Sequence, residues 1–393
     1  MGTEFNAVIV RLGGEIWIKK GWTRRWYMRR LERNMKATLD YYNVAHSEMI
    51  RRGGRVFLRT RDAVAAAQRL SKVFGVSSVS PALETRAELD AIMDGCLSLA
   101  RRLLSDGDTF AVRCRRVGEQ TYSSQEVCRV LGHKVMEELA DREVAVDLDN
   151  PNIRFGVEVR HELGFVFSDV IRGVGGFPLG VQGRVVSLLS GGLDSAVAYW
   201  LVMRRGCPVT PLYFDCAPFT DESTTERAVE VTRALSDWAV GFPRRLYTVK
   251  YGKSLKNIAE GAPRRFTCIL CKRMMYRVAE RIADKVRAQG LVTGEAIGEQ
   301  ASQTLQNLRV LDRAAQRYPV HRPLLGFDKA ETEGLARRIG TYEASARSAK
   351  ECQAVPYKPA TKAKLEQIVE AENGLNIKEM VERCTRELMV VDL

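Results

Sequence analysis

Six consecutive residues, Ser190-Gly191-Gly192-Leu193-Asp194-Ser195, carry the groups that a phosphate site needs. They follow the apolar run Val185–Leu189 and open a stretch that reads as a helix closed by Gly206. Two glycines let the backbone turn tightly and approach a ligand with no Cβ in the way. A helix starting here offers free N–H groups and about half a positive elementary charge from its dipole. Together these features predict an anion site, with pyrophosphate as its natural tenant. The string is not a Walker loop, because the Lys-Ser/Thr ending is missing. The bland alternative is a Ser/Gly turn that does no more than cap a helix.

Sulfur offers a second chemistry. Cys268-Ile269-Leu270-Cys271 puts two thiols three residues apart, on one helical face about 5–6 Å apart at Cβ. That exceeds the roughly 3.8 Å a disulfide prefers, unless the pair lies at a helix start. It suits two ligands of one metal or cluster; the rival is a redox pair with Cys268 as a low-pKa thiolate. Cys96, Cys114, Cys128, Cys207, Cys216 and Cys384 are scattered singly and read as small buried hydrophobes. Nine cysteines in a chain of this size point to a reducing compartment. His46, His133, His161 and His321 show no metal-ligand spacing, which argues against a zinc site.

At 393 residues with 45% apolar content, the chain predicts two or three domains with real cores. It shows no uninterrupted apolar run of about 18 residues and no apolar leader, so the expectation is a cytoplasmic protein that does not enter a membrane. Net charge is +13, and residues 1–61 hold fourteen Lys or Arg against five Asp or Glu, a net of +9. Positive charge concentrated in this way predicts a nucleic-acid partner, because each neutralised phosphate releases condensed counterions. A solvated basic face is the plain alternative.

The elements that must position these groups fall into two patterns. Val8–Leu12 reads as a strand and Glu15–Ile18 as its continuation or partner. A helix over Thr23–Tyr41 has the stripe Met28, Leu31, Met35 and Leu39, with Arg25, Arg29 and Arg33 on another face. Arg51–Arg55 is a turn into the strand Val56–Leu58, and this small α+β unit ends near Pro81. A helix over Glu84–Leu104 follows, then the cation-edged strand Phe110–Arg116, a helix over Ser124–Ala140, and strands at Val157–Val159 and Phe165–Phe167. Gly173–Gly180 reads as a linker. Beyond it, strands at Val185–Leu189, Val209–Phe214, Leu246–Val249 and Leu291–Thr293 alternate with helices over Asp194–Arg205, Ser223–Val240, Cys268–Gln289, Ser302–Gln316 and Lys329–Ile339. That alternation predicts a parallel sheet covered on both faces, and Asp328 with Glu331 predicts a capping box.

The string Ser190–Ser195 resembles the SGGxDS signature of PP-loop ATP pyrophosphatases. With Lys272-Arg273-Met274-Met275, Val292-Thr293-Gly294-Glu295-Ala296 and Ser302–Arg309, it resembles the tRNA 4-thiouridine synthetases, also called tRNA sulfurtransferases. Phe110–Ser124 and Gly175-Gly176-Phe177-Pro178 are similar to that family's THUMP region, and the basic leader to its ferredoxin-like domain. The resemblance implies an α/β and α+β multidomain chain. Its parts would be a ferredoxin-like domain at 1–81, a THUMP RNA-binding domain at 82–172 and, at 173–393, a doubly wound parallel-sheet PP-loop domain of the adenine nucleotide alpha hydrolase-like kind.

It further implies that ATP adenylates O4 of a tRNA uridine, expected at the eighth position, and that sulfur then displaces AMP. Ser190, Gly191, Gly192 and Ser195 would cradle the departing phosphates, and Asp194 would hold Mg²⁺ or orient the loop. Leu188, Leu189, Tyr213 and Phe214 would sandwich adenine at the topological switch of the sheet. Lys272 and Lys329 would stabilise charge on phosphate oxygens, while Gly294 and Gln303 match positions that touch the nucleotide. Each has a plainer reading: Tyr213 and Phe214 as core, the lysines as solvated helix residues.

Cys352, in Lys350-Glu351-Cys352-Gln353, looks like the family's active-site cysteine. The chain runs about forty residues past it, so the second working cysteine of a rhodanese extension is not expected, and sulfur must come from sulfide or a persulfide-carrying protein. Some family members, chiefly archaeal, combine a CxxC with a distal cysteine and are associated with an iron–sulfur cluster. That implies a [4Fe–4S] or [3Fe–4S] cluster on Cys268, Cys271 and Cys352. Arg25, Arg29 and Arg33 with Arg113, Arg115 and Arg116 would track the tRNA backbone by shape. Trp17, Trp22 and Trp26 are available to stack on bases, though core packing is the commoner role. Competing expectations are a THUMP-bearing RNA methyltransferase, a non-catalytic RNA binder, 2-thiolation, and sulfur transfer for thiamine synthesis. A homodimer is in keeping with the relatives.

Overall fold

The computed structural model describes residues 5–47, 49–52 and 54–393. They form two compact units that meet in sequence at Pro178 and Leu179. Gly53, in the expected Arg51–Arg55 turn, lies outside the described residues.

The first unit runs β1 (Ala7–Leu12), α1 (Gly14–Trp17), α2 (Gly21–Tyr41), β2 (Ile50–Arg52), β3 (Arg55–Arg59), α3 (Ala63–Leu70), β4 (Val76–Arg86), α4 (Leu89–Leu103), β5 (Thr109–Val117), α5 (Ser124–Glu138), β6 (Ala145–Val146), β7 (Ile153–Arg160), β8 (Leu163–Phe167) and β9 (Ile171–Arg172). The strands form one sheet in the order β2-β3-β1-β4-β8-β7-β5-β6, with β9 on β4. Strand β4 spans both of the expected N-terminal pieces: it pairs with β1 through Val76–Ala82 and with β8 through Leu83–Arg86. Pro81 therefore lies inside a strand, and Glu84–Arg86 is strand where the sequence suggested helix. The stripe on α2 is buried as its period predicts, while Arg25, Arg29 and Arg33 are exposed.

Glu15–Ile18 departs from expectation. Alternation would bury Ile16 and Ile18 together; a helical turn over Gly14–Trp17 instead buries Ile16 completely and leaves Ile18 73% exposed. The Gly173–Gly180 stretch, expected to be a linker, does hold the boundary between the two units, but its first half is pinned. Gly173 and Gly175 donate to the Ser77 and Val76 carbonyls at 2.8 Å, and a Cβ on Gly173 would stand 2.3 Å from the Val76 oxygen. Glycine is needed there for close backbone approach, not for flexibility.

The second unit runs β10 (Val185–Leu188), α6 (Leu193–Arg204), β11 (Val209–Asp215), α7 (Glu222–Ser236), β12 (Arg245–Lys250), α8 (Gly252–Gly261), α9 (Thr267–Val286), β13 (Leu291–Val292), α10 (Leu305–Asp312), β14 (Val320–His321), α11 (Lys329–Ile339), α12 (Tyr342–Ser345), α13 (Leu365–Asn373), α14 (Ile377–Arg386) and β15 (Leu388–Asp392). Strand order is β14-β13-β10-β11-β12-β15, parallel except for β15, which runs antiparallel to β12. The chain steps from β10 through β11 to β12 and then returns to β13 on the other side of β10. The switch point thus lies between β10 and β13, one strand over from the Tyr213–Phe214 end of β11. The core holds Val186, Leu212, Phe214, Val249 and the inward face of α9. Among the described residues no helix is long and apolar enough to cross a membrane.

Candidate active site

The loop after β10 is built to hold its own shape. Gly191 has φ of 77°, and a Cβ there would come within 2.9 Å of the Ala228 nitrogen on α7. Gly192 is the extended N-cap residue of α6. The two serines bond mainly to the loop: Ser195 Oγ donates to the Gly192 carbonyl at 3.0 Å, accepts from the Ser190 N–H at 3.2 Å and lies 3.1 Å from Ser190 Oγ. Ser190 Oγ also accepts from the Gly192 N–H at 3.2 Å. The serines preorganise the cradle; the α6 N-terminus and its neighbours are left to meet an anion.

Asp194 sits in the first turn of α6 and is half-buried. Burial pushes its carboxyl above the ordinary value; Lys329 opposes this and Glu299 adds to it. Lys329 Nζ donates to Asp194 at 3.2 and 3.4 Å and to Glu299 at 2.7 Å. Burial alone would lower the Lys329 ammonium, but the two carboxylates outweigh it and raise it. Lys329 is placed by the start of α11, where Asp328 and Glu331 form the expected capping box. Glu299 was not singled out from the sequence, since nothing local links it to a loop 105 residues away.

A cavity of about 800 Å³ opens from this loop. It is lined by Leu188, Leu189, Ser190, Gly192, Asp194, Tyr213, Phe214, Lys329 and Cys352 among others, which brings together nine of the residues expected at a site. Tyr213 Oη is bound to Thr224 at 3.0 Å, and Phe214 packs edge-on against Tyr251, so that wall is rigid. Lys272, Gly294 and Gln303 are not among the residues that line the cavity. Gly294 supports the loop directly, because a Cβ would lie 2.5 Å from the Asp194 carbonyl carbon and the Ser195 nitrogen. Lys272 is paired at 3.1 Å with buried Glu295, which also accepts from Arg322 at 2.8 Å, Tyr276 at 2.7 Å and Thr293 at 3.0 Å. Gln303 is buried and its backbone ties Gly298 to Gln300; its Oε1 has no hydrogen-bond partner among the described residues.

The cysteines gather at the same end of the sheet. Cys268 and Cys271 lie in the first turns of α9, which starts at Thr267. Burial pushes the Cys271 thiol up to about 12, with Cys268 and Cys352 adding to the effect. Burial also raises the Cys268 thiol, with Cys352 adding to it and Lys272 opposing, which runs against the low-pKa thiolate of a redox pair. Cys352 is held by its neighbour, since the Gln353 N–H donates to the Phe219 carbonyl at 3.0 Å. Cys216, read from the sequence as a small hydrophobe, lines the cavity with Cys352. Among the described residues no three His, Cys, Asp or Glu side chains converge on one ion position. A cluster does not require that, because it takes each thiolate on a different iron, and the three donors are all thiols that influence one another. Cys268, Cys271 and Cys352 fit it in their chemistry.

Three regions of the chain match known families: residues 180–377 the thiamine biosynthesis protein (ThiI), 86–169 the THUMP domain, and 7–80 the ThiI ferredoxin-like domain. A probable tRNA sulfurtransferase of Methanosarcina mazei is 41% identical over 392 residues, covering 99% of this chain and 96% of the relative. The chain belongs to the tRNA sulfurtransferase family. A protein of the same description from Methanothermobacter thermautotrophicus is 38% identical, covering 98% of this chain and 97% of its own. The crystal structure of a 4-thiouridine synthetase–RNA complex with bound ATP superposes with a TM-score of 0.90 at 30% identity, covering 99% of both chains. PH1313 from Pyrococcus horikoshii gives 0.68 at 26% identity, covering 85% of this chain and 99% of its own.

In this family member the first unit carries the expected basic groups, but not all of them point to solvent. Arg113 and Arg115 are exposed on β5 and line a cavity of about 1040 Å³ together with Arg11, Arg129 and Arg154. Arg116, on the opposite face of the strand, spends its guanidinium on the Gly118 carbonyl at 3.2 Å and on the Gln120 backbone and side chain. Strand alternation explains the separation. Trp22 is 62% exposed and stacks on Trp26 with centroids 5.6 Å apart.

Proposed function

We propose that this family member is an ATP-dependent tRNA uracil 4-sulfurtransferase that adenylates O4 of a tRNA uridine, the eighth in the chain, and replaces that oxygen with sulfur. One observation carries the reading: the loop with Asp194 and Lys329 opens into the same cavity as Cys352. A uridine admitted there would meet both halves of the reaction. Its O4 attacks the α-phosphorus of ATP, the O4–P bond forms, the bond to the β-phosphate oxygen breaks, and pyrophosphate leaves. The N-terminus of α6 and Lys329 stabilise the charge that develops on the departing phosphates. Asp194 and Glu299 supply hard oxygens that would hold Mg²⁺. Tyr213, Phe214, Leu188 and Leu189 would flank adenine.

Sulfide, supplied directly or released from a donor protein's persulfide by a thiol that is left as a disulfide, then attacks C4; the C4–S bond forms, the C4–O4 bond breaks, and AMP leaves with its oxygen. A cluster held by Cys268, Cys271 and Cys352 would supply an iron with an open position for sulfide. Residues 1–81 and 82–172 hold the RNA in this reading, through Arg25, Arg29, Arg33, Arg113 and Arg115, and residues 173–393 carry the chemistry.

Asp194→Ala should abolish ATP-dependent thiolation, read by mass spectrometry of digested tRNA. Normal product from that variant would refute the site. Iron and sulfide analysis after anaerobic purification tests the sulfur half separately: iron-free protein that still thiolates tRNA from sulfide would remove the cluster.

A further inference from the structure

Just past Cys352 the chain forms an arch on the surface of the second unit. Its near foot is fixed: the Val355 N–H donates to the Cys352 carbonyl at 3.3 Å, the Gln353 N–H to the Phe219 carbonyl at 3.0 Å, and Ala354 is buried. The far foot is held by four bonds. The Ala360 N–H donates to the Arg265 carbonyl at 2.9 Å, and the Ala360 carbonyl accepts from Asn307 Nδ2 at 2.8 Å. The Thr361 carbonyl accepts from Thr304 Oγ1 at 2.7 Å, and the Ala363 N–H donates to Asn307 Oδ1 at 3.0 Å. Between the feet run Val355-Pro356-Tyr357-Lys358-Pro359. The two prolines fix φ, and Pro356 is buried under the arch. At its top Tyr357 is 95% exposed. Tyrosine ordinarily keeps part of its ring covered, so this exposure on a braced segment marks a surface that something else completes.

The charge around the ring says what that is. Lys358 Nζ stands 5.9 Å from the Tyr357 ring centroid, and residues 350–364 hold four lysines against one glutamate. Arg264 and Arg265 are exposed on the short turn Arg264–Phe266, whose Arg265 carbonyl holds the far foot. An uncharged ring among cations suits a single-stranded nucleic acid, because every base has a π face and every phosphate a charge. Tyr357 lies between a buried proline and a lysine, so it offers one ring face and not an apolar patch. One face is a complete site for a base, whereas a protein interface has a core of several buried apolar residues. We infer that the arch 355–359 is an RNA contact of the catalytic unit, in which Tyr357 stacks on an unpaired base beside the reacting uridine and Lys358 meets a phosphate. This rests on the tRNA reading above and adds to it, since that reading places the RNA contacts on the first unit alone. The position has a physical reason. A uridine that brings its C4 to Cys352 must leave its stack, which bares the face of a neighbouring base, and Tyr357 is two residues beyond the Val355 that is bonded to Cys352.

The test is equilibrium binding of the full-length protein to an unmodified tRNA transcript over a range of salt, with thiolation kinetics alongside. Tyr357→Ala should weaken tRNA binding on the order of 10-fold, with its salt slope unchanged because the ring carries no charge. Tyr357→Phe and Tyr357→Trp, which keep a ring, should retain the affinity; Tyr357→Leu, apolar but without a ring, should not. Lys358→Ala should lower the salt slope by about 0.7, the value for one phosphate of a single strand. ATP affinity and melting temperature should match the wild type in every variant. With sulfide as the sulfur source, the KM for tRNA should rise in Tyr357→Ala in step with the loss of affinity. Unchanged tRNA affinity in Tyr357→Ala would overturn the contact. So would an effect seen only when a donor protein supplies the sulfur, which would assign the arch to that protein. A wild type that binds tRNA but thiolates none of it would overturn the sulfurtransferase reading, and the affinities would still decide the role of the ring.

Discussion

Glu295 is the residue on which the back of the site depends, and Glu295→Gln should show it. The carboxylate is 4% exposed and receives four side-chain donors, two of them the cations Lys272 and Arg322. Burial would raise its pKa, but Lys272 and Arg322 outweigh burial and hold it at about 2 against an ordinary 4.5. That difference corresponds to roughly 3 kcal/mol of stabilisation. The sign follows from the depression: the contribution is complete above about pH 4.5 and is lost only as pH falls through about 2. Glutamine keeps the size but leaves Lys272 and Arg322 without their counter-charge, a loss of about 3–5 kcal/mol for a broken buried pair. For a unit of this size each kcal/mol moves the melting temperature by about 2–4 °C, so calorimetry should show a drop of roughly 6–20 °C in the transition of Leu179–Leu393. The deficit should be the same at pH 5 and pH 8. Adding Lys272→Met should restore part of it. A deficit below about 1 kcal/mol, or one that changes across that pH range, would refute the reasoning.

Gly294→Ala adds one methyl group, yet its Cβ would sit 2.5 Å from backbone atoms of Asp194 and Ser195. Backbone cannot swing aside as a side chain does, so ATP affinity should fall at least tenfold while the RNA affinity of the protein is preserved; equal ATP binding would show that the loop does not rest on Gly294. In the first unit, Arg115→Ala should reduce the salt slope of tRNA binding by about 0.9 if it contacts one phosphate. Arg116→Ala should lower stability and leave the slope unchanged, because that guanidinium is spent on Gly118 and Gln120. Identical slopes for the two variants would show that strand alternation does not sort these arginines.

The parts of the fold visible in the sequence are those governed by local periodicity. The stripe on α2, the apolar strand before the phosphate loop and the capping box of α11 each lie within one turn or one strand of their own signal. The errors arise where a long-range pairing decides. Glu84–Arg86 looks helical in isolation but is drawn into the sheet by pairing with Leu163–Phe165 on β8. Strand β15 closes the sheet against β12 across a gap of 138 residues, and its short run Leu388–Asp392 carries no turn signal that would announce it.

The candidate site divides along the same line. Gly191, Gly192 and Asp194 are legible because one loop must satisfy backbone geometry and ligand chemistry together, which leaves few residue types for each position. Gly294 is legible only by resemblance, since what excludes a Cβ there is another loop and not its own turn. The charges were legible as residues but not in their partners. Lys329 joins two carboxylates from α6 and the post-β13 loop, whereas Lys272, expected on a phosphate, is already committed to Glu295. A lysine's neighbour in sequence says little about its neighbour in space, because its long stem reaches whichever element the sheet topology brings close. The doubly wound order does that here: it sets the loops after β10 and β13 side by side, and brings α7 and the segment 345–352 to one cavity, so that the Ser190–Ser195 loop and a thiol some 160 residues away line the same space.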